Sequence, residues 1–160
     1  MIRKIALVAA LFAPVSAFAQ DLPTNPYLPL DLATNAAQAA IQACSAEGHN
    51  VSVSIVARSG VEKVLLRADN AGPHTVGSSF GKAFTSASMG RETAGLANFI
   101  GANPQNDGMR DMDGRMVIQA GGLPISFNGV LVGGIGVGGA PTGDIDAMCA
   151  RVGLDAIGAE

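Results

Sequence analysis

The stretch from Gly121 to Gly153, GGLPISFNGVLVGGIGVGGAPTGDIDAMCARVG, restricts the possible fold more than any other part of the chain. Leu123 to Phe127 and Val130 to Val137 are rich in β-branched and large apolar residues, with Asn128-Gly129 between them. An Asn-Gly pair tolerates the positive φ angles of a two-residue hairpin turn, so the spacing predicts a two-stranded antiparallel ribbon. Gly133, Gly134, Gly136, Gly138 and Gly139 leave little side chain on the second strand, so another backbone or a flat ligand can lie close against it. Pro141, Thr142 and Asp144 then open a helix whose apolar positions are Ile145, Met148, Cys149, Val152 and Ile157.

Upstream, Asp31 is placed to cap a first helix in which Leu32, Ala36, Ala40, Ala43 and Cys44 recur at helical spacing and which stops at Gly48. Val51 to Val56 alternates valine and serine with a period of two, and Ser59-Gly60 turns the chain into Val61 to Leu66, a second hairpin. Asp69 to His74 is a loop of turn formers. Gly77 to Ser88 and Thr93 to Ile100 supply two more helices, the latter capped at Thr93 with Gly101 just past its end. A polar loop from Gly101 to Gly114 leads to a further strand at Arg115 to Gln119. The expectation is an α+β domain with an antiparallel sheet of about five strands and helices packed on one face.

Residues 1–19 read as a secretory signal peptide. Arg3 and Lys4 precede an apolar run from Ile5 to Phe12 and on to Val15, and Ala17-Phe18-Ala19 is a small-x-small cleavage signature. The run falls short of the roughly 20 apolar residues that span a bilayer, and no later segment is long enough, so membrane insertion is not expected. The predicted location is periplasmic or secreted. Residues 20–30, with Pro23, Pro26 and Pro29, read as an extended arm, and residues 31–160 as a single domain. Without the signal, eight basic residues face thirteen acidic ones, a net charge of −5 that argues against nucleic acid and anionic membrane as partners. Cys44 and Cys149 both sit on predicted apolar helix faces of an exported chain, where either a disulfide or two buried thiols would fit.

Three patterns match known motifs but lack their context. Gly134 to Gly139 fits G-x-G-x-x-G, yet the chain ends one helix later and supplies no second parallel strand for a dinucleotide site. Gly77 to Gly81 fits the G-x-S-x-G nucleophile elbow, but no strand abuts it, and His49 and His74 both precede Ser79, the reverse of the order such a triad needs. Asp107, Asp111 and Asp113 offer oxygens to a hard cation without the spacing of a calcium loop, so solvated carboxylates are the simpler reading.

Taken together, GGLPI, GVLVGGIGVGGAP and LLRADNAGPHTVGSSFGKAFTSAS resemble the GlcG/HbpS family of small haem-binding-like proteins, over roughly Leu30 to Gly158. The resemblance implies a two-layer profilin-like or PAS-like domain, a homo-oligomer, haem or another tetrapyrrole as ligand, and a membrane sensor or transporter as a possible partner. Within it, Lys82-Ala83-Phe84-Thr85 resembles a family helix whose threonine is implicated in contact with haem iron, which makes Thr85 a candidate ligand. His74 offers an imidazole, a good iron ligand, and Lys82 near a helix start offers a charge for a propionate. The competing reading has His74 on a surface turn, Lys82 as a solvated charge, and the Thr85 hydroxyl bonded back to a carbonyl one turn earlier. No C-x-x-C-H occurs, so covalent haem attachment is excluded. The resemblance also leaves room for an oligomeric accessory protein that binds a small metabolite without haem, or a weak enzyme on such a metabolite.

Overall fold

The computed structural model describes residues 24–160. The segment expected to be a signal peptide and the first residues of the expected arm lie outside the described residues. The elements run α1 (Leu30–Ala46), β1 (Ser52–Ala57), β2 (Glu62–Arg67), α2 (His74–Met89), α3 (Thr93–Ala102), a 3-10 segment at Pro104–Asp111, β3 (Gly122–Phe127), β4 (Val130–Gly138) and α4 (Gly143–Asp155). The strands form one sheet in the order β2-β1-β4-β3, antiparallel at every pair. Asn128 and Gly129 take φ values of 51° and 75°, as the tight β3–β4 turn requires. No helix among the described residues is long and apolar enough to cross a membrane.

The α+β class and the antiparallel sheet follow the sequence pattern, but the sheet has four strands, not five. Arg115 to Gln119 crosses α2 instead of joining the ladder. The Val117 N–H donates to the Thr85 hydroxyl at 2.9 Å, and the Val117 side chain fills the space above Gly81. Its donor is spent on a helix, so none is left for a neighbouring strand.

Helices cover both faces of the sheet, which corrects the one-face expectation. Val53 and Ile55 of β1 and Ile135 and Val137 of β4 point into the main core with α1 and α4. The opposite face, under α2, is built from serines and glycines and so resembles a solvent face in sequence. Ser52 Oγ lies 2.7 Å from Thr75 Oγ1, and Ser54 Oγ lies 2.9 Å from Ser79 Oγ. Thr75 and Ser79 donate to the Gly72 and Val76 carbonyls, so the strand serines are the donors across this interface.

The glycines of β4 explain how close α2 sits. A Cβ added at Gly134 would overlap the Ala83 carbonyl oxygen, and one added at Gly136 would overlap that of Ser79. The backbone of α2 therefore rests directly on the backbone of β4, one of the two occupants the glycine run allowed.

Small residues also set the approach of α1 to α4. Ala33, Ala36, Ala37 and Ala40 are buried on α1, and Cys149, Ala150, Gly153 and Leu154 on α4. Met148 and Val152, expected on the apolar stripe, are 49% and 41% exposed, so the buried face of α4 is turned towards its smallest residues. Cys44 and Cys149 are joined by a disulfide with a Cα–Cα distance of 5.5 Å across 105 residues of sequence. Closing a loop of that length restricts the unfolded chain, an effect on the order of 4 to 5 kcal/mol in the loop-entropy account.

Three helix starts differ from expectation. α2 begins at His74, expected in the preceding loop, and not at Gly77. α1 begins at Leu30 after Pro29, with Asp31 inside its first turn, where a carboxylate favours the helix dipole. Thr93 is the first residue of α3, and its hydroxyl accepts from the Gly122 N–H at 2.9 Å, tying α3 to β3 rather than capping the helix.

Gly136→Ala is expected to cost about 1–3 kcal/mol by overpacking. Gly95→Ala, mid-α3 with open space around its added Cβ, is expected to be neutral or to stabilise by up to about 1 kcal/mol. Thermal unfolding of the two variants checks this; equal midpoints would show that α2 is not seated on β4.

Candidate functional site

Helix α2 carries all three residues picked out for a ligand, and the structure separates them. His74 starts the helix and Thr85 follows eleven residues later, so they lie about 16 Å apart along the axis and cannot ligate one iron within a single chain.

Lys82 does not face a cleft. Its Nζ donates to Asp146 Oδ2 at 2.7 Å and to the Val137 carbonyl at 3.0 Å, and the Lys82 and Asp146 side chains are 2% and 4% exposed. Asp146 Oδ1 accepts from the Ala140 N–H at 3.0 Å. The pair joins α2, the end of β4 and the first turns of α4. Burial pushes the Asp146 carboxyl up, while the Lys82 ammonium and the Ala140 N–H pull the other way. Neither charge retains a free side towards solvent.

Thr85 is fully buried. Its hydroxyl donates to the Gly81 carbonyl at 2.8 Å, one turn earlier, and accepts from the Val117 N–H. Arg115 lies over the Phe84 ring at 4.1 Å, which adds a cation–π contact to the same crossing segment. A ligand reaches Thr85 only if residues 115–119 lift away. His74 is exposed, with its ring folded back over Gly72, and is the one member of the set with an accessible ligand atom.

Asp146 is the partner that the sequence reading missed. Two signals pointed to it. It shares a helix face with Cys149, Ala150 and Gly153, and Lys82 is the lone charge between Gly77 and Met89, in a helix of small and apolar residues. Ser79, the centre of the G-x-S-x-G match, is buried inside α2 and bonded to Ser54, and Gly134 to Gly139 lie along β4 and its end rather than in a phosphate loop. In the polar loop Asp107 pairs with Arg110 at 3.0 Å and Asp113 with Arg115 at 2.6 Å, and Arg115 holds the Asp113 carboxyl down at about 2. Ser86 Oγ is buried without a hydrogen-bond partner among the described residues, and nothing in the structure explains it.

Neither of two cavities on the surface is lined by His74, Lys82 or Thr85. One of about 610 Å³ lies between the arm, the β1–β2 turn and the start of β4, and one of about 360 Å³ lies beside Asn50 and Asp69.

Lys82→Met and Asp146→Leu, made singly, are each expected to cost about 3–5 kcal/mol, because each strands a buried charge. The double variant removes both charges and is expected to recover most of that loss. Urea unfolding of the four proteins decides; single variants within about 1 kcal/mol of the parent would mean that the pair is solvated.

The comparisons agree with this architecture. The family described as haem degrading protein HbpS-like matches residues 28–155. A crystallised double mutant of HbpS from Streptomyces reticuli is 40% identical, with a TM-score of 0.80 over 91% of this chain and 97% of that one. A structure described as a PduOC:heme complex is 25% identical, with a TM-score of 0.78 over 84% of this chain and 98% of that one. Klebsiella pneumoniae protein ORFY, at 24% identity, a TM-score of 0.80 and coverage of 89% and 98%, shares the fold. Among curated proteins no relative matches. The chain belongs to the HbpS-like family.

Proposed function

We propose that the mature chain is an exported haem-binding protein that takes up the group reversibly. The observation that carries this reading is family membership over residues 28–155, together with the likeness to a PduOC structure described as a heme complex. The signal-like segment at residues 1–19 and the buried Cys44–Cys149 disulfide suit an oxidising compartment outside the cytoplasm. When bound, haem would supply an iron centre able to take an axial ligand from the protein.

Of the residues first singled out, His74 fits such a ligand. Its imidazole is exposed at the start of α2. Lys82 and Thr85 act on the ligand site indirectly, by fixing α2 against β4, α4 and residues 115–119. An exposed surface histidine gives a site open to solvent, which suits uptake and release, and so sensing or scavenging, better than electron transport. Met148 and Val152, half-exposed on α4, and Leu30 at the start of α1 leave apolar surface that suits assembly into a homo-oligomer.

Haem titration of residues 20–160, followed by absorbance, tests the reading. A saturable band is expected, weakened about tenfold or more by His74→Ala and by less than about threefold by Thr85→Ala. Failure to saturate would remove haem as the ligand and favour a small-metabolite or accessory role. A band that then bleaches with time would favour the degrading activity that the family description names.

A further inference from the structure

The larger cavity is lined by two bases and no acid. Arg58, at the end of β1, and Lys63, on β2, face it, and no Asp or Glu is part of its wall. This is unusual in a chain whose acidic residues outnumber its basic ones. Among the described residues neither base forms an ion pair, whereas Lys82, Arg110, Arg115 and Arg151 all do. Arg58 is held at one end only, with Nη1 donating to the Ala87 carbonyl at 3.0 Å. The rest of its planar fork is open, and that fork matches a carboxylate in two parallel hydrogen bonds.

The remainder of the wall is largely apolar. Leu28, part of the arm itself, is buried, Val130 and Val132 come from the start of β4, and the Tyr27 ring stands 77% exposed beside the opening. A volume of about 610 Å³ lies within the usual range for small-molecule sites, roughly 300–1,000 Å³. The smaller cavity provides an internal contrast, since it is lined by Asp69 and by no base.

We propose that this cavity binds a small carboxylic acid with an apolar body. The carboxylate sits between Arg58 and Lys63, and the apolar body lies against Leu28, Val130 and Val132 with the Tyr27 ring over it. The site is separate from the proposed haem ligand. Arg58 is tied to Ala87, thirteen residues along α2 from His74, or about 20 Å of helix.

Calorimetric titration of residues 20–160 with decanoate and with decan-1-ol tests the proposal, because the two share an apolar chain and differ in the carboxylate. Decanoate is expected to saturate and to bind about tenfold tighter than the alcohol, with a further loss of about tenfold in Arg58→Gln or Lys63→Gln. Haem titration should be unchanged in both variants. Lys63 makes no side-chain hydrogen bond or ion pair among the described residues, so Lys63→Gln keeps the test valid should loss of the Ala87 contact unfold Arg58→Gln. Equal binding of acid and alcohol, absence of saturation by decanoate, or full affinity in folded Lys63→Gln would each overturn the proposal.

Discussion

The structure depends on one close contact, the backbone of α2 lying on the glycines of β4. Gly134 and Gly136 carry no side chain because the carbonyls of Ala83 and Ser79 occupy that space. Once α2 is seated there, its remaining contacts follow. Ser52 and Ser54 reach up to Thr75 and Ser79, Lys82 reaches past β4 to Asp146 on α4, and Gly81 leaves room for Val117 to cross above. The interface is polar, but nearly every group in it is paired, so burial imposes little unmet cost.

That seating decides which parts of α2 are open to ligand chemistry. The middle of the helix is committed inward. Lys82 neutralises a buried carboxylate and Thr85 anchors a crossing segment, so the residue types that suggested a haem cleft serve the fold instead. On the proposed reading, ligand chemistry falls to the ends. His74 stands free at the first residue, and Arg58 joins the last turn to a cavity bordered by the N-terminal arm. The disulfide fixes the other face, where α1 and α4 meet through alanine, glycine and cysteine.

Much of this was legible in the sequence, for identifiable reasons. Asn128-Gly129 and the flanking apolar runs specify the β3–β4 hairpin locally, and the glycines on β4 announce a close neighbour, either a backbone or a flat ligand, which the fold resolves as the backbone of α2. What escaped was set by tertiary partners. Ser52 and Ser54 alternate with valines as a wetted strand face would, and only α2 overhead makes them buried donors. Val117 sits in a run with strand propensity, yet its N–H is satisfied by Thr85. Met148 and Val152 follow helical spacing as well as Ala150 and Gly153 do, and the disulfide with the alanines of α1 selects the smaller face. Lys82 was misplaced because a lysine is usually solvated, and its counter-charge lies 64 residues away.

The central claim is that α2 holds Thr85 inside the fold while ligand contact occurs at the His74 end. Amide hydrogen exchange on residues 20–160, with and without haem, tests it most directly. The account predicts that the Val117 N–H, bonded to Thr85, keeps its protection when haem is added, while exchange changes around His74. Loss of protection at Val117 on adding haem, with none of the change near His74, would mean that residues 115–119 lift to expose Thr85 and would contradict it.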